Sequence, residues 1–288
     1  MVGSLLYAAI STRPDIGHAV SMLTRFMQNP GPKHVVAARR VLRYLKGTTS
    51  TGLVFNGNNG QEQLQLKTGH KQQLQQLEQL QRQLDQLQKE AAQLQQGSGQ
   101  LQQLQQQKEQ LQVQLQQLQQ QDRQVQLQLQ VQAYSDADWA GDRSSCKSTS
   151  GYLIMINGCL VHWGSKKQST VSLSTAEAEY VAMSSTTQEI IWAKQLLAEL
   201  TSQAQQTAVI KTDSTAAMAM CHNDNLHHKT KHIDIKHHFI RDEIKNKRMR
   251  MEWVPTHLQL ADIMTKPLKK LQYERLRDKL MYGIEIEV

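Results

Sequence analysis

The sequence predicts an α/β protein. Residues 125–288 read as a mixed five-stranded sheet with flanking helices, preceded by a small helical region over 1–57 and by an inserted Gln/Leu-rich helical hairpin over 61–124. Three observations lead there. The hydrophobic period switches from helical spacing to two at Val125, where Val125, Leu127, Leu129, Val131 and Ala133 alternate with polar residues as in a half-buried strand. From that point three strand-like runs are followed by a long helix, a fourth strand, helices and a fifth strand, an order that fits one layered α/β sheet. Four carboxylates, Asp136, Glu179, Asp213 and Asp262, stand at the ends of these segments.

Residues 3–48 carry three helical pieces. Pro14 and Asp15 open the second, Pro30, Gly31 and Pro32 separate it from the third, and His34 to Leu45 carries Arg39, Arg40 and Arg43. Residues 1–57 hold seven Lys/Arg against one acid, so this piece supplies most of the chain's net charge of +8. Such a basic face suits the phosphate backbone of a nucleic acid. Arg40, Val41, Leu42 and Arg43 also spell RxLR, the translocation tetrapeptide of certain secreted effectors. The apolar run at the N-terminus is too short, and lacks the basic flank, for a signal peptide or a spanning helix. The chain is therefore expected inside the cell, cytoplasmic or nuclear, with no membrane partner. Cys146, Cys159 and Cys221 have neither the count nor the spacing of a disulfide framework or a zinc ribbon.

In the Gln/Leu-rich tract, Leu77, Leu80, Leu84, Leu87, Ala91 and Leu94 alternate spacings of three and four, as do Leu101, Leu104, Lys108, Leu111, Leu115 and Leu118. That is an a/d seam. Gly97, Ser98 and Gly99 separate the two runs, so residues 71–122 are expected to form an antiparallel coiled-coil hairpin open to self-association.

Within residues 125–288, strands are expected at about 125–136, 150–157 and 159–164. Asp136 then falls at the end of the first, and Asp138, two residues on, shares its face. Lys166, Lys167 and Gln168 follow the third strand in a position suited to phosphates. The helix from Thr175 to Leu200 offers two acids in its first turns. Ser174 and Glu177 have the spacing of a capping box, which gives Glu177 a structural task. Residues two apart do not share a helix face, so the chemistry is assigned to Glu179. Asp213 ends the fourth strand and Ser214 opens a short helix. Asp262 opens the last helix, after the fifth strand and Pro255. Clustered carboxylates without cationic partners repel one another, and oxygen-only donors suit Mg²⁺ or Mn²⁺.

These residues resemble a known family. Asp136 at a strand end, AExxA at a helix start (Ala178, Glu179, Ala182), TDS after the fourth strand and a late Ala-Asp pair are similar to the ribonuclease H domain of reverse transcriptases. More narrowly, YLKGT, SDADWAGD, STSGY, SKKQSTVSLSTAEAEY, TKHIDIKHHFIRD and ADIMTKPL resemble the C-terminal part of a copia-type (Ty1/copia) retrotransposon Pol polyprotein, over about residues 1–57 and 125–280. The resemblance implies a ribonuclease H-like fold, with residues 1–57 as a thumb- or connection-like remnant and 61–124 as an insertion. It also implies hydrolysis of the RNA strand of RNA–DNA hybrids, with Asp136, Glu179, Asp213 and Asp262 as catalytic ligands of two Mg²⁺ or Mn²⁺ ions about 4 Å apart. Arg39, Arg40, Arg43, Lys166, Lys167, Lys229 and Lys231 are the candidate contacts to the hybrid. His257 takes the place of a histidine that assists product release in related enzymes, on a shorter loop. His228 and His232 are four apart, as in a metal pair, but no Cys or Glu completes a zinc motif, and the surrounding lysines point to phosphate contact instead. The alternative reading is a catalytically idle transposon remnant acting as a nucleic-acid-binding or coiled-coil module.

Overall fold

The computed structural model describes residues 1–55, 76, 79–87, 89, 106–118, 129–201, 207–222 and 239–282. The chain divides into two compact units, Met1–Asn58 together with Leu129–Val288, and Asn59–Gln128. Among the described residues no helix is long and apolar enough to cross a membrane.

In the first unit the sheet comprises β1 (Val131–Asp142), β2 (Lys147–Ile156), β3 (Cys159–Lys167), β4 (Ala208–Thr212) and β5 (Met249–Trp253), in the order β3-β2-β1-β4-β5. β1, β2 and β3 are antiparallel, and β4 and β5 run parallel to β1, giving the mixed five-stranded sheet expected. Three expected boundaries shift, the first being the start of β2 at Lys147 and not near 150. β1 extends to Asp142, so Asp136 lies within a strand and not at its end. Its parallel pairing with β4 stops at Tyr134, however, so Asp136 still emerges just past the carboxyl end of the parallel pair. β3 extends to Lys167, which places Lys166 and Lys167 on the strand instead of after it. The expected start of the first strand at 125–128 lies outside the described residues.

Alternation along β1 sends successive side chains to opposite faces of the sheet. Ala133 faces α4 (Thr175–Thr201) in a core with Ile154, Ile190, Leu197, Ala208 and Ile210. Tyr134 faces a second core with Leu153, Leu160, Leu260, Ile263, Met264, Leu276 and Leu280. That second face is covered by a one-turn helix α6 (Asp262–Thr265) and by α7 (Lys270–Tyr282). Asp262 thus opens a separate single turn, because Pro267 denies a following helix its hydrogen bond. Between β4 and β5 in sequence come α5 (Thr215–His222) and a helical stretch over 239–245.

The N-terminal region forms α1 (Val2–Ser11), a 3₁₀ turn Pro14–Ile16, α2 (Gly17–Thr24) and α3 (Pro32–Gly47), as the punctuation predicts. Pro32 at the first helical position costs no hydrogen bond. Leu5, Ala9, Ile16, Val20, Leu23, Ala38 and Val41 form its core. It is fastened to the sheet. Trp163 Nε1 donates to the Ala9 carbonyl at 2.7 Å, Ser21 Oγ to the Ser165 carbonyl at 3.0 Å, and Arg25 Nη2 to Thr149 Oγ1 at 3.1 Å. A buried knot joins it to α7: Arg13 grips Asp15 through two hydrogen bonds of 2.9 and 2.7 Å, Tyr44 Oη donates to Asp15 Oδ2 at 2.8 Å, and Tyr273 Oη donates to the Asp15 carbonyl at 2.9 Å.

In the second unit, residues 79–87 and 106–118 are helical. Leu80, Leu84 and Leu87 are half-buried, as are Lys108, Leu111, Leu115 and Leu118, while the other residues of these two stretches are exposed. The covered positions are those of the seam. The reversal expected at Gly97 to Gly99 lies outside the described residues.

Candidate metal centre

Each of three carboxylates reaches the centre from a different element. Asp136 comes from β1. Glu179 comes from the first turns of α4, whose start is fixed by Ser174: its Oγ accepts the Glu177 N–H at 3.2 Å, while Glu177 Oε2 accepts the Leu173 N–H at 2.7 Å. Glu177 therefore has the capping task read from the sequence, with its carboxylate one residue further back than in a standard capping box. Asp213 follows β4 directly. Its turn is held by the Ser214 N–H on Thr212 Oγ1 at 3.2 Å and by Trp253 Nε1 on the Asp213 carbonyl at 3.2 Å. Asp136, Glu179 and Asp213 offer ligand oxygens that all lie within 4.8 Å of one another.

The electrostatics of this cluster are those of charge held without enough compensation. Burial, followed by the proximity of Asp136 and Asp213, pushes the Glu179 carboxyl up to about 9. Burial likewise raises Asp136, against the pull of Lys266 and the Thr265 hydroxyl. Glu179 is 9% exposed, and its Oε2 has no hydrogen-bond partner. A buried carboxylate oxygen left unpaired beside two other acids is the donor set that a hard divalent cation satisfies. The residues present fit Mg²⁺ or Mn²⁺.

Asp262 stands apart from this triad. It is 1% exposed, and burial and Asp136 push it up to about 7. Lys266 Nζ lies 2.8 Å from Asp262 Oδ1 and 3.7 Å from Asp136 Oδ2. The contact to Asp262 is an ion pair without hydrogen-bond alignment, so both Asp262 oxygens still lack a directed donor. Thr265 Oγ1 donates to Asp136 Oδ2. Burial alone would lower the Lys266 ammonium, but Asp136, Asp262 and Asp213 carry it above the ordinary lysine value.

Sequence reasoning missed Lys266, Thr265 and Gln259. Gln259 is fully buried and donates to the Ser135 carbonyl at 3.0 Å, which clamps the segment before Asp262 onto β1 beside Asp136. For Lys266 a signal existed: it lies four residues after Asp262, the spacing of a helical ion pair. For the other two none did, because their partners are more than 120 residues away.

The remaining candidates separate. Arg39, Arg40 and Arg43 are exposed on α3, and Lys166 is exposed on β3. Lys167 is committed to an ion pair with Asp142, whose carboxyl it holds well below the usual range. Gln168, expected at phosphates, is 6% exposed and structural: its amide donates to Ser150 Oγ and to the Ala178 carbonyl, both at 2.9 Å, and so sets the start of α4 against β2. His257 is exposed on a 3₁₀ turn, in the wall of a groove with Trp253, Leu271 and Arg275. Lys229, Lys231 and the His228/His232 pair lie outside the described residues. Arg40, Val41, Leu42 and Arg43 sit within α3, with Val41 in the helical core.

The Retrovirus-related Pol polyprotein from transposon TNT 1-94 of Nicotiana tabacum is 32% identical over 277 residues, which is 96% of this chain. That from transposon RE1 of Arabidopsis thaliana is 32% identical over 280 residues, 97% of this chain. The chain belongs to the copia-type retrotransposon Pol polyprotein family. It spans 16% and 14% of the length of those two relatives. Secreted RxLR effector protein 161 of Plasmopara viticola is 34% identical over 191 residues, 66% of this chain and 87% of that protein. No family model matches. Among solved structures, the N-terminal ribonuclease H domain of Rv2228c from Mycobacterium tuberculosis covers 48% of this chain and 91% of its own, at 13% identity and a TM-score of 0.37. LC11 ribonuclease H1, solved with an RNA/DNA hybrid, covers 47% and 94%, at 16% identity and a TM-score of 0.34. In this copia-type chain the sheet is the mixed five-stranded one described above, in the order β3-β2-β1-β4-β5 with flanking helices.

Proposed function

We propose that this copia-type Pol segment hydrolyses the RNA strand of RNA–DNA hybrids, using Mg²⁺ or Mn²⁺ held by Asp136, Glu179 and Asp213, with Asp262 completing the set. The observation that carries the reading is the convergence of three carboxylates within 4.8 Å around a buried, unpartnered Glu179 oxygen. Bound ions would supply an activated water and stabilisation of the leaving oxygen. The chain's own residues do the rest. Thr265 orients Asp136 through its hydroxyl, and Gln259 fixes the approach of Asp262. Arg39, Arg40, Arg43 and Lys166 present exposed cations to phosphates, with Lys229 and Lys231 as further candidates. Hybrid is distinguished from DNA by 2′-hydroxyls and duplex shape. His257 has the auxiliary role at most.

The test is cleavage of a labelled hybrid by the purified chain in Mg²⁺. Asp213→Asn should abolish it with the thermal unfolding curve unchanged, since charge is removed but volume kept. Glu177→Gln should retain most activity, since an amide still accepts at the helix start. Equal loss in both variants, or full activity in Asp213→Asn, sinks the assignment.

A second reading is favoured by the half-buried seam positions over 79–87 and 106–118: the insertion is a coiled-coil module, competent for self-association whether or not the chain is catalytic. Deletion of residues 73–122 should remove helical circular dichroism and any concentration-dependent mass in sedimentation, and leave hybrid cleavage intact. An unchanged helical signal ends that reading.

A further inference from the structure

We propose that Lys266 is a built-in counterion for the Asp136–Asp262 half of the centre, and that a second divalent ion binds there only by displacing its ammonium. The proposal rests on reading the carboxylates as a metal site and divides that site into two unequal halves.

The geometry supplies the division. Asp136, Glu179 and Asp213 close on one another within 4.8 Å, whereas Asp262 is not part of that group. Asp262 and Asp136 share Lys266 instead, at 2.8 and 3.7 Å. Both Asp262 oxygens are buried without a directed hydrogen-bond donor, so among the described residues the compensation of Asp262 comes from the charge of Lys266. In the other half Glu179 Oε2 is likewise buried and unpartnered, but no cation pairs with it among the described residues. Among the described residues no ion pair reaches Glu179 or Asp213, whereas Asp262 has Lys266 at 2.8 Å and the shared Asp136 has it at 3.7 Å.

The cation in place is of a displaceable kind. An ammonium on a four-carbon stem is a point charge with rotatable donors and does not fork two carboxylates as a guanidinium does. The Lys266 backbone is fixed in extended geometry, at φ −140° and ψ 154°, by the proline that follows. Its side chain, by contrast, is 33% exposed. It also lines a cleft of about 320 Å³ between the N-terminal helices and the α6–α7 connection, with His18, Arg40, Tyr44 and Pro267. The head can withdraw from the carboxylates into that cleft without moving the backbone. Thr265, bonded to Asp136 from the same turn, stays in place.

Two classes of ion affinity follow: a tighter one at Asp136, Glu179 and Asp213, and a weaker one that carries the cost of moving Lys266. The test is a Mn²⁺ titration by calorimetry and by electron paramagnetic resonance of free Mn²⁺, on the whole chain without nucleic acid. Lys266→Met keeps the stem and removes the charge, and should tighten the weaker site tenfold or more while changing the tighter one less than threefold. Lys266→Arg should weaken the second site, because a guanidinium bridges two carboxylates and is harder to displace. This second variant keeps the charge, so it decides the question even where Lys266→Met does not fold. A weaker site unmoved by either variant overturns the proposal. Glu179→Gln separates the two levels of inference. If it leaves Mn²⁺ binding untouched, the metal reading itself fails. If it removes the tighter site while the Lys266 variants change nothing, only the role of Lys266 fails.

Discussion

Gly151 lies directly across the β1–β2 pair from Asp136, and it is the missing side chain of the one that allows the other its partner. A Cβ on Gly151 would stand 2.6 Å from Thr265 Cγ2 and 2.7 Å from Met264 Cβ, both closer than atoms can pack. The turn carrying Asp262, Thr265 and Lys266 is seated against bare backbone, and only so does the Thr265 hydroxyl reach Asp136.

Gly151→Ala should push that turn outward. We expect a loss of about 1–3 kcal/mol from overpacking and a fall of at least tenfold in hybrid cleavage, measured by urea denaturation and by the cleavage assay. Wild-type activity with wild-type stability would show that the turn has room to spare.

The knot at Asp15 should be a large contributor to folding. The Arg13 and Asp15 side chains are 10% and 0% exposed, so Asp15→Ala would leave a buried guanidinium unpaired. The expected loss is roughly 3–5 kcal/mol, read as a shift of the urea midpoint. A change under about 0.5 kcal/mol, the range of an ordinary surface substitution, would mean that the N-terminal helices do not fold together with the sheet.

Acid should loosen the same junction through His18. Burial, and secondarily Arg25, lowers its imidazole to about 4 from the ordinary 6.5. The folded chain thus binds this proton less readily than the unfolded chain. The stabilisation is complete above about pH 6.5 and is lost as pH falls toward about 4. The difference in stability between wild type and His18→Gln should shrink over that window, by up to roughly 3 kcal/mol. A difference that does not vary with pH would contradict the burial of a neutral imidazole.

Reversing Arg39, Arg40 and Arg43 to Glu should weaken hybrid binding and reduce the slope of log K against log salt by up to roughly three, with turnover of bound hybrid changing less. An unaltered slope would leave these arginines as a solvated face.

Much of this was legible in the sequence because it is local. The period-two run into Asp136, the Ser174/Glu177 spacing, the Thr-Asp-Ser after β4 and the proline punctuation of α1 to α3 each depend on neighbours a few residues apart. From these the order of elements, the capping role of Glu177 and three converging acids could be read. The extent of β1 and β3 could not, because a strand continues as long as a partner pairs with it. Thr149 carries the pairing of β2 with both neighbours past the point where the apolar pattern ends, and Lys147 still pairs with Asp142.

Which carboxylates are available, and on which kinds of element they stand, is written locally, since strand and helix periods need only a few consecutive residues. Their grouping is set by the folded packing alone. Asp262 lies 126 residues from Asp136, and whether it joins the triad or pairs with Lys266 depends on how the turn 262–265 seats on Gly151. That seating is a matter of atomic packing between segments far apart in the chain. Charge compensation follows distance in space, and no spacing along a sequence specifies it.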